Sequence, residues 1–90
     1  MRSYKNEKEG KDMEEFMIKL DSIDEVKEFV ALTNKCAFDV DLMSGRYAID
    51  AKSIMGIFSL DLSKPLKMIV HADGEAAADF VEEAAKFIAD

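Results

Sequence analysis

The sequence contains one cysteine, one histidine, one proline and no tryptophan among its 90 residues. Because Cys36 has no second cysteine to pair with, an internal disulfide is excluded, and we expect a reducing compartment, the cytoplasm. Cys36 and His71 together are too few ligands for a zinc site, so neither a metal nor another cofactor is expected. No apolar run approaches the roughly 20 residues that cross a bilayer, and the N-terminal residues do not resemble a signal peptide.

Basic residues are also scarce relative to acidic ones. The sequence has 12 Lys and Arg against 19 Asp and Glu, which gives a net charge of −7. A surface of that sign repels nucleic-acid phosphates and anionic lipids, so neither is an expected partner. Glycine-rich phosphate loops and nucleophile elbows are missing as well, which makes an independent enzyme the weakest hypothesis. We therefore expect a protein that works by binding other proteins.

What is present is the pattern of one small globular domain, with 49% hydrophobic and 34% charged residues. Residues 1–12 are polar and lack an apolar period, so we predict a flexible tail ahead of a domain at residues 13–90. Alternation of apolar and polar residues predicts four strands, at residues 16–20, 38–42, 47–51 and 66–72. Helical spacing predicts three helices, at residues 22–36, 53–60 and 75–88.

The predicted order of elements is β-α-β-β-α-β-α. Helices in the crossover positions must pack on one face of the sheet, so we expect an open-faced two-layer α+β sandwich with a four-stranded antiparallel sheet. The first helix is expected to bury one face, formed by Ile23, Val26, Phe29, Val30 and Thr33. The uncovered face of the sheet is expected to be exposed to solvent. It carries Lys19, Asp39, Asp41, Asp50, Lys67 and His71.

Two serines occupy the expected starts of helices. Ser22 and Glu25 have the spacing of a capping box, in which the hydroxyl accepts from a backbone N–H and the carboxylate reaches back. Ser53 stands where the second helix needs an N-cap. That second helix is short and apolar on almost every side, so it cannot bury all its residues. We expect Ile57 and Leu60 in the core.

Residues 49–60, IDAKSIMGIFSL, are the most distinctive stretch of the chain. They closely resemble the serine region of HPr, the histidine-containing phosphocarrier of the bacterial sugar phosphotransferase system. Residues 52–56 match a common form of the family residue for residue, and the resemblance extends over roughly residues 13–90. It implies the fold described above and a role connected with sugar transport and its regulation.

The resemblance also shows a departure from the family's chemistry. HPr carries phosphate on a histidine at the start of its first helix, with an arginine two residues later; the matching positions here are Ser22 and Asp24. A serine ester is stable and does not pass its phosphoryl group on, and Asp24 repels phosphate. This implies an HPr-like protein with a degenerate site, in which Ser22 is a helix cap. His71 cannot replace the missing histidine, because it lies on a predicted strand.

Ser53 is the residue at which the resemblance implies regulation. In HPr of many Gram-positive bacteria, the serine at this position is phosphorylated by an ATP-dependent kinase, and the modified protein binds a transcriptional regulator. HPr-like proteins also dock their partners through this helix. The expected partner-binding residues are therefore Lys52, Ile54, Met55 and Phe58. The expected partners are an HPr serine kinase, a transcriptional regulator or an Enzyme I-like docking protein.

Two other functions remain open at this point. One is a working phosphocarrier of the sugar phosphotransferase system that uses another residue, against which the lack of a histidine near residue 22 argues. The other is a small-ligand-sensing βαββαβ domain. Such domains usually have a glycine in the turn between the first strand and helix, and this turn, residues 20–22, has none.

Overall fold

The computed structural model of the protein describes residues 13–89, so the tail predicted at residues 1–12 lies outside the described part. The strands are β1 (Glu14–Ile18), β2 (Val40–Ser44), β3 (Tyr47–Asp50) and β4 (Leu66–Val70). The helices are α1 (Ile23–Asn34), α2 (Ile54–Phe58) and α3 (Gly74–Glu83), and a 3-10 turn at Ala85–Phe87 follows α3. This is the predicted order, β-α-β-β-α-β-α.

The four strands form one antiparallel sheet in the order β1-β4-β2-β3. β2 and β3 make a hairpin whose two-residue turn begins at Gly45, where a positive φ of 60° suits glycine. Leu42 of β2 lies opposite Met68 on β4 and opposite Ile49 on β3. The predicted four-stranded antiparallel sheet is confirmed. Its first strand lies at one edge, beside the last strand of the chain.

The helices cover one face of the sheet and bury a single apolar core. Phe29 of α1 is fully buried and meets Phe87 edge-on, with ring centroids 5.7 Å apart. Ile57 of α2 is also fully buried, as predicted, whereas Leu60 is half-buried and packs against the core from its rim. The core consists of Ile18, Leu20, Val26, Phe29, Val40, Leu42, Ala51, Ile57, Leu66, Met68, Val70, Ala77, Phe80, Ala84 and Phe87.

The C-terminal segment lies along β1 and does not extend the last helix to residue 88 as predicted. α3 ends at Glu83, and the 3-10 turn brings the chain back to the sheet edge. There Ile88 pairs with Ile18, and the N–H of Ala89 donates to the carbonyl oxygen of Met17 at 2.8 Å. Backbone hydrogen bonds to an open strand edge are thus formed in place of a further helical turn.

The uncovered face of the sheet carries polar side chains that contact one another in pairs. Lys67 lies 3.8 Å from Glu15, and His71, just beyond the end of β4, lies half-buried with Nε2 2.8 Å from Asp41 Oδ2. Within residues 13–89, no three side chains of His, Cys, Asp or Glu are grouped so as to hold a metal ion. In the same part of the chain, no helix is both long enough and apolar enough to span a bilayer.

Candidate functional site

The start of α1 is closed by its own side chains. Ser22 is the N-cap, and its Oγ accepts a hydrogen bond of 3.1 Å from the backbone N–H of Glu25. The Glu25 carboxylate reaches back, as a capping box requires, but it accepts from the N–H of Asp21 at 2.7 Å, one residue before the cap. The predicted capping role of Ser22 is therefore confirmed, with the return bond shifted by one residue.

Replacing Ser22 with alanine is expected to lower the free energy of unfolding by about 1 kcal/mol, because the N–H of Glu25 loses its acceptor. Ser22→Asn, which keeps a side-chain acceptor at the same place, is expected to restore most of that loss. Urea denaturation followed by circular dichroism measures both variants. Equal losses for alanine and asparagine would show that the hydroxyl does not stabilise the helix start as a cap.

Ser53 caps α2 in the same way. Its backbone is extended, and its Oγ accepts from the N–H of Gly56 at 3.0 Å. A Cβ atom added at Gly56 would lie 3.2 Å from that Oγ, a tight contact, so glycine leaves room for the hydroxyl. Ser53 itself is exposed. The predicted N-cap is confirmed, and its hydroxyl stands at the surface.

The segment before Ser53 is held by the last turn of α1. The buried Thr33 hydroxyl lies 2.8 Å from the carbonyl oxygen of Ala51, and Asn34 Nδ2 donates to the carbonyl oxygen of Lys52 at 3.1 Å. Lys52 Nζ in turn donates to the carbonyl oxygen of Cys36 at 3.1 Å. The amino group of Lys52, a predicted partner-binding residue, is thus directed toward the end of α1, where it fixes this segment.

Cys36 is half-buried beside this network. Burial raises the pKa of its thiol, and the nearby Lys52 cation opposes that shift only in part. A thiol with a raised pKa is mostly protonated near neutral pH and reacts slowly as a nucleophile. Its surroundings are therefore those of a structural cysteine.

Three large apolar side chains are exposed on α1 and α2. Ile23 is 61% exposed, Met55 76% and Phe58 41%. Ile54, also predicted to bind partners, is half-buried against the core. Exposure of Met55 and Phe58 fits the expectation that so short a helix cannot bury all its sides, and their role in partner binding stays a prediction. Ile23 was expected on the buried face of α1, but its position in the first turn leaves it beyond the edge of the sheet-facing core.

A groove of about 550 Å³ runs between the start of α1 and the end of α2. We call it the α1–α2 groove, and it is lined by Lys19, Leu20, Asp21, Ser22, Ile23, Phe58, Leu62 and Ser63. Lys19 Nζ donates to Asp21 Oδ1 at 2.6 Å and to the carbonyl oxygen of Leu62 at 3.0 Å, which ties its two walls together. The groove brings Ser22 and Phe58 into one site. Ser53 and Met55 are not among its lining residues.

Ile23 and Leu62 are two apolar residues of the groove that sequence reasoning did not place at the site. Ile23 has the same helical spacing as the buried Val26 and Phe29, so periodicity alone places it in the core. Its place directly after the N-cap was the available signal, because a first-turn residue often projects past the layer that its helix covers. Leu62 lies in a loop, for which no periodic signal exists.

The fold and this site define a small open-faced α+β sandwich in which two serine-capped helix starts and an apolar groove lie at the surface. A family model described as "PTS HPr component phosphorylation site" matches residues 25–90. The chain therefore belongs to the HPr phosphocarrier family of the sugar phosphotransferase system. The resemblance that residues 49–60 indicated is confirmed at the level of the family.

Two solved structures share the fold. HPr-C-His from Thermoanaerobacter tengcongensis is 23% identical, with a TM-score of 0.63 over 84% of this chain and 89% of that one. The phosphocarrier protein HPr from Bacillus anthracis str. Ames is 21% identical, with a TM-score of 0.62 over 86% of this chain and 95% of that one. At these identities the likeness supports the fold alone. No curated protein matches the sequence significantly.

Proposed function

We propose that this chain is a regulatory, protein-binding member of the HPr family that carries no phosphate on histidine and is controlled by phosphorylation of Ser53. The observation that carries the proposal is the exposed Ser53 hydroxyl at the cap of α2, two residues before the exposed Met55. The module acts by docking and catalyses no reaction of its own. Because Cys36 is the only cysteine of the sequence, we assign the protein to the reducing cytoplasm.

The positions of His71, Ser22 and Asp24 disfavour a histidine phosphocarrier. The sequence has one histidine, His71, and it is hydrogen-bonded to Asp41 on the uncovered face of the sheet. At the start of α1, the family's phosphohistidine position corresponds to Ser22 and its arginine position to Asp24. A phosphoryl group arriving there would meet the carboxylates of Asp24 and Glu25, which repel it, whereas the charge of Asp21 is already paired with Lys19. No cation stands at the position of the family's arginine.

Ser53 offers a different chemistry. A phosphate on a helix cap faces backbone N–H groups and the positive end of the helix dipole, so α2 tolerates the modification. It adds roughly −1.5 to −2 charges close to Met55. Partners that dock on Met55 and Phe58 would therefore distinguish the modified protein from the unmodified one. The proposed partners are an HPr serine kinase, a transcriptional regulator that reads the phosphoserine, or an Enzyme I-like docking protein.

The proposal is tested by intact-protein mass after incubation with ATP and an HPr serine kinase. We expect a gain of one phosphate that is lost in Ser53→Asn, in which a side-chain oxygen still caps α2. Ser22→Asn is the matched control, because Ser22 is also an exposed N-cap serine, and this variant is expected to be phosphorylated normally. No phosphate on the wild-type protein, or phosphate retained by Ser53→Asn, would contradict control of the protein by phosphorylation of Ser53.

Incubation with phosphoenolpyruvate and Enzyme I tests whether this chain carries phosphate on histidine. We expect no acid-labile phosphate on this chain, because the start of α1 presents Ser22 and Asp24. Acid-labile phosphate that disappears in His71→Gln would make this chain a phosphocarrier with a relocated histidine and would overturn the proposal.

A further inference from the structure

We infer that two copies of this chain pair through the outer edge of β3, as antiparallel strands centred on Ala48, and so join their four-stranded sheets into one. Within residues 13–89, β3 has a single neighbouring strand, β2, on one edge. The other edge of such a strand presents N–H and C=O groups that a second strand can satisfy. This surface is separate from α1 and α2, and its use does not require phosphorylation of Ser53, so the inference goes beyond the proposed function.

The β2–β3 hairpin decides which backbone groups of β3 face outward. In an antiparallel pair, hydrogen-bonded and non-hydrogen-bonded positions alternate, and a two-residue turn is flanked by a hydrogen-bonded pair. Tyr47 and Ile49 therefore bond to β2, and the N–H of Ala51 donates to β2 at 2.8 Å, as this alternation requires. Both backbone groups of Ala48 and the N–H of Asp50 then face the outer edge, whereas the Asp50 carbonyl already accepts a hydrogen bond within the chain.

The register centred on Ala48 matches opposite charges. With Ala48 opposite Ala48 of a second copy, Arg46 lies opposite Asp50 of that copy, and two-fold symmetry forms this pair twice. Arg46 and Asp50 are both exposed, and neither forms a salt bridge in the part of the chain that the structure describes. Opposite charges directly across two antiparallel strands stabilise the pairing.

Asp50 also lies beside a like charge within its own sheet. It is directly opposite Asp41 on β2, and like charges in that arrangement repel each other. Asp41 contacts His71 at 2.8 Å, whereas the Oδ1 of Asp50 accepts only from the backbone N–H of Lys52, at 2.9 Å. A guanidinium from a second copy would therefore reduce a repulsion that the single chain leaves in place.

The other face of β3 offers an apolar contact in the same register. Tyr47 is 74% exposed, and Ile49 is half-buried against the core. Their side chains alternate with that of Ala48, so both lie on the helix-covered side of the sheet. Tyr47 then faces Ile49 of the second copy, an aromatic and β-branched pair that also occurs twice. Because only one short strand from each copy takes part, we expect a weak dimer.

Charge-reversal variants of the full chain test the inference by analytical ultracentrifugation. At about 0.1 M salt, which screens exposed charges beyond about 10 Å, we expect the wild-type protein to shift from monomer to dimer as its concentration rises. Arg46→Asp puts two carboxylates at each charge pair, and Asp50→Arg puts two cations there. We expect each variant alone to weaken the dimer roughly tenfold or more. In an equimolar mixture of the two variants, a mixed dimer has opposite charges at both pairs, so we expect association to return.

Lys27→Asp is the matched control, because Lys27 is an exposed cation on α1 and its replacement changes the net charge as much as Arg46→Asp does. We expect this variant to dimerise like the wild-type protein. A wild-type protein that stays monomeric at millimolar concentration would overturn the inference. So would a dimer that Arg46→Asp and Lys27→Asp weaken equally, or a mixture of the two β3 variants that does not associate. Phosphate transfer to Ser53 is measured on the monomer and the dimer alike, so the two proposals fail separately.

Discussion

Phe29→Ala is expected to lower the free energy of unfolding by about 3–5 kcal/mol, the cost of removing a buried phenylalanine from a core. Phe29 is fully buried in the middle of α1 and meets the ring of Phe87 edge-on at 5.7 Å. The total stability of a small domain is only about 5–15 kcal/mol, so this variant loses a large fraction of it. Urea denaturation followed by circular dichroism measures the loss.

Ile23→Ala is the matched control for that prediction. Ile23 and Phe29 lie on the same helix and share the same apolar spacing, but Ile23 is 61% exposed. We expect Ile23→Ala to change stability by about 0.5 kcal/mol or less, as most surface substitutions do. If Ile23→Ala proved as costly as Phe29→Ala, Ile23 would belong to the core, and the α1–α2 groove would not exist as described.

Thr33→Val is expected to lower the free energy of unfolding by about 1–3 kcal/mol, although valine has nearly the same shape as threonine. The Thr33 hydroxyl is buried and lies 2.8 Å from the carbonyl oxygen of Ala51. Valine would leave that buried carbonyl without its donor, and a lost partner costs more than a hydrogen bond gains. Thermal unfolding measures the change, and an unchanged or raised melting temperature would contradict it.

Asn34→Ala provides the comparison for Thr33. The amide of Asn34 holds the next carbonyl, that of Lys52, at 3.1 Å, but Asn34 is exposed and water can replace it. We therefore expect a smaller loss than for Thr33→Val, about 1 kcal/mol or less. The two variants together show how firmly the end of α1 holds the segment that leads to Ser53.

Much of the fold could be predicted because its local signals agree. Ser22 and Ser53 mark helix starts, and the alternation at Leu66, Met68 and Val70 marks a buried strand face. β1 nevertheless begins at Glu14, two residues before the predicted strand. Glu14 and Glu15 pair with residues 69 and 70 on β4, and that long-range partner leaves no trace in the local pattern.

The site was less predictable for the same reason. Exposure of Met55 and Phe58 followed from the shortness of α2, which a sequence reveals. The groove that joins Ile23 to Phe58 exists only because residues 19–23 and 58–63 meet across the fold. The direction of Lys52 likewise depends on the carbonyl of Cys36, 16 residues earlier. Periodicity and capping place elements, whereas contacts between distant segments shape surfaces.

The position of β1 in the sheet has a consequence for how the protein is made. Phe16 pairs with Met68, 52 residues later, and at the other edge of β1 Ile18 pairs with Ile88. At about 5–20 residues per second, a ribosome takes roughly 3–10 seconds to synthesise the chain between the two strands. During that interval β1 lacks the partners it has within residues 13–89, so the first strand of this part of the chain is among the last to be paired.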